Sequence, residues 1–391
     1  MLKIEKSQSV ADVEGYYHLL AQDPVDVDLT VPTNLREAHL GAVGALIQFL
    51  ITWSKRYPNA RLLLHTTDES KFSVHLENLS TSHHGVLALL LASDVLSANK
   101  TKSVTESAQR ITQLSIEKMT SRQYGDTSGG ESLLFCADWK SPRSRFIHQF
   151  YHPTDNSYAD VRSHSDFVTL ASGLIEHISR HLKRHVPPGP ELRHNLGTIF
   201  YELFKNTHKW ARTDADGVPI NKSIRGLRLQ FTSRETIRPS ALSERHVTYL
   251  ESLTNKLGLC DILEITIFDS GPGLAARALE RELDASTTLS DEYALVLSRL
   301  QLRATSSSTS HHGIGLVEVM RTLTKAKAFA RLRTGRLALC RDFLSSPFEK
   351  DDDIWLDDWT TGTKTLSELP RAEGLLFTIL MPVLSKDVKH G

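Results

Sequence analysis

Glu202-Leu203-Phe204-Lys205-Asn206-Thr207-His208 is the stretch whose reading decides the fold. Wound at about 100° per residue, positions 191–211 bring Leu192, Ile199, Leu203 and Trp210 into one narrow sector, the apolar face of a core helix. Glu202 and Asn206, at i and i+4, point the same way from the edge of that sector. A carboxylate and a carboxamide therefore stand side by side at the rim of a core. They are either ordinary solvated edge residues or a paired site, and the motifs around them decide between the two.

Working outward, a helix is expected over 166–185, then a break at Pro187-Pro188-Gly189-Pro190. Beyond the central helix come the loop Asp214-Ala215-Asp216-Gly217-Val218-Pro219, a strand over 226–232 and a helix over 241–257. The apolar strand 261–268 runs into Asp269-Ser270-Gly271-Pro272-Gly273. A helix over 290–303 leads to Ser306-Ser307-Ser308-Thr309-Ser310, and His311-His312-Gly313-Ile314-Gly315-Leu316 opens another. Strands over 328–332, 336–340 and 375–380 close the chain, with a loop carrying Asp351-Asp352-Asp353, Trp355, Asp357-Asp358 and Trp359 before the last. Helices mixed with mostly antiparallel strands predict an α/β (α+β) sandwich over 166–391.

Upstream, the alternation of Val25 to Val31 predicts a strand, and Pro32-Thr33-Asn34 starts a helix over 35–56. A strand over 61–65 and a helix over 84–97 complete a β-α-β-α run, a smaller α/β domain over 1–165. Residues 99–131, rich in Ser, Thr, Lys and Gln, read as a loosely packed excursion, followed by strands over 133–137 and 145–151. The polar segment from Pro153 to Ser157 marks the boundary near 165.

The 391 residues suffice for two domains, and 46 basic residues balance 46 acidic ones, so no global field argues for nucleic acid or an anionic membrane. Cys136, Cys260 and Cys340 lack metal or disulfide spacing and read as buried thiols of a reducing cytosol. The most apolar stretch, Leu40 to Trp53, is too short to span a membrane and is interrupted by glycines and Gln48. A soluble cytoplasmic protein is expected.

Asp269, fixed at the end of a strand and followed by two glycines, offers an acceptor to an exocyclic amine and a backbone a flat ligand can approach closely. Taken alone, the same pattern describes a turn. Gly313-Ile314-Gly315-Leu316 at a helix start presents free N–H groups suited to phosphate oxygens, or is a plain helix entry. His311 and His312 lack a third metal ligand and read as solvated. Asn206 can offer an oxygen to Mg2+ while Glu202 orients and deprotonates a water; Lys205 or Lys209 can add positive charge.

In this order, Glu202 with Asn206, Asp269-x-Gly271-x-Gly273, Gly313-x-Gly315-Leu316 and the terminal Gly374-Leu375-Leu376-Phe377-Thr378-Ile379-Leu380-Met381-Pro382 resemble the GHKL, or Bergerat-fold, ATPases over about residues 166–385. The resemblance implies an α/β sandwich with ATP between helices and a lid over about 280–310. It implies Glu202 as general base, Asn206 as the Mg2+ ligand, Asp269 as reader of adenine, and the glycine segments, with Ile314, Leu316 and Lys209, as nucleotide contacts. Leu375 stands where a small hydroxyl residue is common in the family, and the span from Glu202 to Asp269 is long for it. The expected function is a hydrolysing conformational switch, with a protein partner acting through 1–165 and dimerisation possible. A kinase is the alternative: His177, His181 and His185 lie on the preceding helix, and a serine kinase needs no acceptor in the chain. The third alternative is a binder without turnover. Arg321, Lys325, Lys327, Arg331, Arg333 and Arg336 form either a solvated edge or a surface for nucleic acid.

Overall fold

The computed structural model describes residues 1–22, 27–38, 40–152, 159–180, 189–238, 242–301, 314–349 and 354–383. The chain begins β1 (Leu2–Lys3), β2 (Ser7–Gln8), α1 (Val10–Gln22), β3 (Leu29–Thr30), β4 (Glu37–Ala38), α2 (Ala42–Arg56), β5 (Arg61–Leu63), α3 (Phe72–Ser80), α4 (His83–Leu91) and β6 (Asp94–Leu96). Here β1, β3, β5 and β6 form a parallel sheet in that order, and β2 pairs with β4 in parallel. Next come α5 (Thr105–Ser121), β7 (Asp126–Ser128), β8 (Glu131–Ala137), α6 (Pro142–Arg145), α7 (His164–Ser179), α8 (Pro190–Trp210), β9 (Ile224–Thr232), α9 (Glu244–Leu257) and β10 (Asp261–Asp269). The rest is α10 (Leu274–Leu279), α11 (Leu289–Gln301), α12 (Ile314–Lys325), β11 (Phe329–Gly335), β12 (Leu337–Asp342), β13 (Asp357–Asp358) and β14 (Ala372–Val383).

A second sheet of eight strands, in the order β13-β12-β11-β14-β10-β9-β8-β7, is antiparallel throughout. The protein is thus a mixed α/β structure with a long antiparallel sheet and shorter parallel ones. Because β7 pairs with β8 and β8 with β9, the long sheet begins well before residue 165, and hydrogen bonding continues across that point. One apolar core also runs through both halves, joining Leu46 and Phe49 of α2 to Ile265 of β10 and Leu203 of α8.

Alternation along the strands assigns the two faces of the sheet. Arg225 on β9 reaches Tyr151, which bonds His208 on α8, whereas Arg228, three residues on, reaches Glu264 on the opposite face. On that opposite face lies α2: a methyl at Gly44 would come within 2.7 Å of Thr266 Cγ2 on β10. The long sheet is therefore covered by α8 on one side and by the N-terminal unit on the other.

Several elements differ from expectation for reasons of tertiary contact. α2 begins at Ala42 rather than near 35, because Glu37–Ala38 pair with Ser7–Gln8 and Gly41, at φ 80, donates its N–H to Glu264 Oε2 at 2.7 Å. α4 stops at Leu91, where Ala92 turns out at ψ 142 and residues 94–96 join the parallel sheet. Within the supposed excursion, α5 buries Ala108, Thr112, Ile116 and Met119 along one helical stripe. The segment 145–151 is not a strand; α6 ends at Arg145, and Tyr151 makes a lone bridge with Val161. The long span before Asp269 is filled by β9 and α9, whose Tyr249 and Leu253 build a second core with Phe329 and Leu380.

The basic residues near 321–336 do not all share one face: Lys325 and Lys327 are exposed and Arg321 is half-exposed, but the other three are engaged within the fold. Arg331 and Arg333 are 2% and 1% exposed and share Glu14, while Arg336 is tied to Glu292 and Glu368. Of the six, Arg331, Arg333 and Arg336 are therefore committed to ion pairs within the fold. Cys136, Cys260 and Cys340 are buried and free, and no helix among the described residues is long and apolar enough to cross a membrane.

Candidate functional site

α8 is fixed by a buried stripe, Leu196, Ile199, Phe200, Leu203, Phe204 and Thr207, which shares Ile199 and Leu203 with the expected sector but is centred about 50° round the helix from it; Trp210 is 36% exposed. Burying such apolar side chains is worth about 1.5–3 kcal/mol each. Glu202 and Asn206 lie half-buried on its flank, and neither side chain has a hydrogen-bond partner among the described residues. Burial pushes the Glu202 carboxyl above its usual range, Lys205 opposes this and Glu318 adds to it. Opposite stands the first turn of α12: a methyl at Gly315 would fall 2.0 Å from Glu202 Oε2. Any side chain at 315 would displace the carboxylate, and the first-turn amides of α12 have no acceptors within their own helix.

At the other end of α8 lies the turn after β10. Asp269 is 5% exposed, and its Oδ1 accepts from Gly271 N at 2.9 Å and Leu375 N at 3.3 Å. Burial raises its carboxyl to about 6 against the pull of those two amides, Lys55 and Arg225. Three glycines let strands crowd it. A methyl at Gly271 would meet Ala211 Cα at 2.9 Å, one at Gly273 would meet Thr334 Oγ1 at 2.8 Å, and one at Gly374 would meet the Asp269 carbonyl oxygen at 1.9 Å. Gly273 and Gly374 have φ of 85 and 73, a region that favours glycine.

Ala211 is the residue after α8, so the Asp269 turn and Gly315 adjoin the same helix about 14 Å apart, nine residues at 1.5 Å each. Glu202 stands at the Gly315 end, and Asn206 lies between. Of the other expected residues, Leu316 packs half-buried against the core, Ile314 opens α12, and Lys209 stands exposed 4.5 Å over the Trp210 ring. Gly313, His311, His312, the 306–310 run, Asp351 to Asp353, His181 and His185 lie outside the described residues. His177 is half-buried, 5.8 Å from the Tyr124 ring.

Four contributors carried no sequence signal, because each belongs to a distant element. Thr334 on β11 accepts from Leu274 N at 3.2 Å, next to Gly273. Lys55 at the end of α2 donates to Ser270 O at 3.1 Å and pairs with Glu373 at 2.9 Å. Glu318 sits one turn beyond Gly315. Tyr151 donates to or accepts from His208 Nδ1 at 2.9 Å and accepts from Arg225 at 2.9 Å, tying α8 to the segment before it; burial lowers His208 to about 4, so it is neutral at pH 7.

No group of three or more His, Cys, Asp or Glu among the described residues could hold a metal. A hard cation here would take the Asn206 carboxamide oxygen and complete its shell from a ligand and water, a mode that suits Mg2+. No protein-family model, curated protein or solved structure matches the chain.

Proposed function

We propose that the chain is a Mg-ATP-binding ATPase of the GHKL, or Bergerat-fold, kind, working as a nucleotide-dependent switch. The observation that carries this reading is the line along α8: a buried carboxylate turn at one end, a glycine-containing helix N-terminus against Glu202 at the other, and Asn206 between, with neither Glu202 nor Asn206 partnered through its side chain among the described residues. An adenine amine would donate to the Asp269 carboxylate, the glycine turn would accept the flat base, and the phosphates would run along α8 toward the first turn of α12. Thr334, opposite Leu375 in register, places a hydroxyl beside the turn where the family carries one after the last glycine.

Asn206 would hold Mg2+, which when bound neutralises phosphate charge. Glu202, raised by burial, is suited to take a proton from a water as that oxygen bonds the γ-phosphorus and the bond to ADP breaks. The products are ADP and phosphate, and the proton leaves through Glu202.

Incubating the full chain with γ-labelled ATP and Mg2+ tests this. Released phosphate in the wild type, abolished by Glu202→Ala, supports the hydrolase; label retained on protein would turn the reading to a kinase, and neither would reject turnover.

A further inference from the structure

The N-terminal end of α2 opens on a cavity of about 610 Å3 far from the Asp269 turn, between the parallel unit and the long sheet. Its floor is charged, with Arg228 and Glu264 buried and Glu131 half-buried beside them. Arg228, with no exposure, donates to Glu264 Oε1 at 3.0 Å, Glu131 Oε2 at 2.7 Å and Gln230 Oε1 at 2.6 Å, while its Nε donates to His83 Nδ1 at 3.1 Å. Burial lowers His83 to about 4, so this histidine is neutral at pH 7 and adds no charge. One guanidinium thus answers two carboxylates, and the floor carries a surplus negative charge. Glu131 Oε1 and the Gln230 amide N–H groups have no partner among the described residues.

The rim has the opposite surplus. Arg238 pairs with Glu37 at 2.6 Å, leaving the exposed Arg36 guanidinium without an ion pair among the described residues. A cavity of this size suits a small metabolite, and a half-buried carboxylate and an exposed guanidinium, each with capacity to spare, can answer charge brought in by a ligand. The complement is one molecule with N–H donors at one end, facing Glu131, and an anionic group at the other, facing Arg36.

The same walls hold α2. Glu264 on the floor accepts the Gly41 N–H at 2.7 Å, and Leu40 and Val43 line the cavity. At its far end, about 22 Å away for 15 residues, Lys55 grips Ser270 O and Glu373, and Thr52 Oγ1 accepts from Glu373 N at 2.9 Å. One rigid helix therefore runs from the cavity floor to the residue beside Asp269.

We propose that this cavity binds a small molecule joining an amine or amidine group to an anionic group, and that α2 relays its occupancy to the Asp269 turn. The relay, though not the binding, rests on the nucleotide reading above. Amino acids and aminated nucleotides share the required chemistry, so two calorimetric arms separate them: a set of α-amino acids, and guanosine and cytidine monophosphates. Each is titrated into the full chain without ATP. The expected result is that one arm binds with Kd below about 1 mM, and that Arg36→Ala and Glu131→Gln each weaken it tenfold or more. Asp269→Asn should leave this binding intact, which separates it from any failure of the nucleotide site. The bound probe should then change the Kd for Mg-ATP about fivefold or more, and ATP that of the probe by the same factor. No binding in either arm, or binding insensitive to Arg36→Ala, overturns the site; an unchanged Mg-ATP Kd overturns the relay.

Discussion

Asp269 is costly to keep ionised, and its place explains the cost. Burial raises its carboxyl from 3.8 to about 6, so the folded chain binds a proton more tightly than the unfolded one between those values. Stability contributed at this site is therefore lost as pH rises from about 4 to 6, by at most about 3 kcal/mol. Asp269→Asn keeps an oxygen for the Gly271 and Leu375 amides and removes the charge. The ligand-free variant should be more stable than the wild type at pH 8 and equal to it near pH 4, as read by urea unfolding at the two pH values. Equal stability at pH 8 would show that the carboxylate is not strained there. Glu202 differs: Glu202→Ala should leave Mg-ATP affinity within a few-fold and lower phosphate release by about a hundredfold or more, since a general base acts on the transition state. Loss of binding in that variant would instead give Glu202 a structural role. The Asp269 glycines were legible from sequence because a turn that close needs them locally. Thr334, Lys55 and Glu318 were not, because nothing in a single sequence says which distant strand or helix will stand beside a given turn.

At the level of elements, the N-terminal helix α1 is locked to the long sheet by one carboxylate. Glu14 bonds Arg331 and Arg333, whose guanidiniums lie 5.0 Å and 5.2 Å over the Trp359 and Tyr17 rings. Burial raises the Glu14 carboxyl, but the two arginines outweigh it and hold the group below its ordinary 4.5. Its stabilisation is thus full above pH 4.5 and is lost as the pH falls through the lowered value, the reverse of Asp269. Glu14→Ala leaves two buried cations facing each other and should destabilise by about 3–5 kcal/mol, measured by denaturant unfolding at pH 7. A change under about 1 kcal/mol would mean that water reaches the arginines. Gly374→Ala is a backbone counterpart: with φ at 73 and the Asp269 carbonyl 1.9 Å from the added methyl, β14 must shift. Both stability and nucleotide affinity should fall. α8, β9, β10 and β11 were readable as long periodic or apolar runs with clear stops. α5 was not, because its four buried positions are spread through a polar helix whose burial depends on α3 and α4.

Across the whole molecule the halves share a sheet and a core, which a linear reading of composition does not reveal. Register is tertiary: nothing in Glu131–Ala137 says that it will pair with β9, so a polar loop looked like a boundary although the sheet had already begun. A chain cut to residues 166–391 would lose β7 and β8, leave β9 as an open edge and expose the face that α2 covers. It should aggregate or melt without a cooperative transition, whereas a soluble fragment with a cooperative melt would show that the C-terminal part folds alone. The N-terminal unit therefore belongs to the mechanism of any switch here, since Lys55 meets the turn that would hold the base. Titrating Mg-ATP calorimetrically into the full wild-type chain and into Asp269→Asn tests the central claim most directly. Saturable binding at one site in the wild type, lost in the folded variant, is the predicted result; binding of equal affinity to both, or to neither, would contradict it.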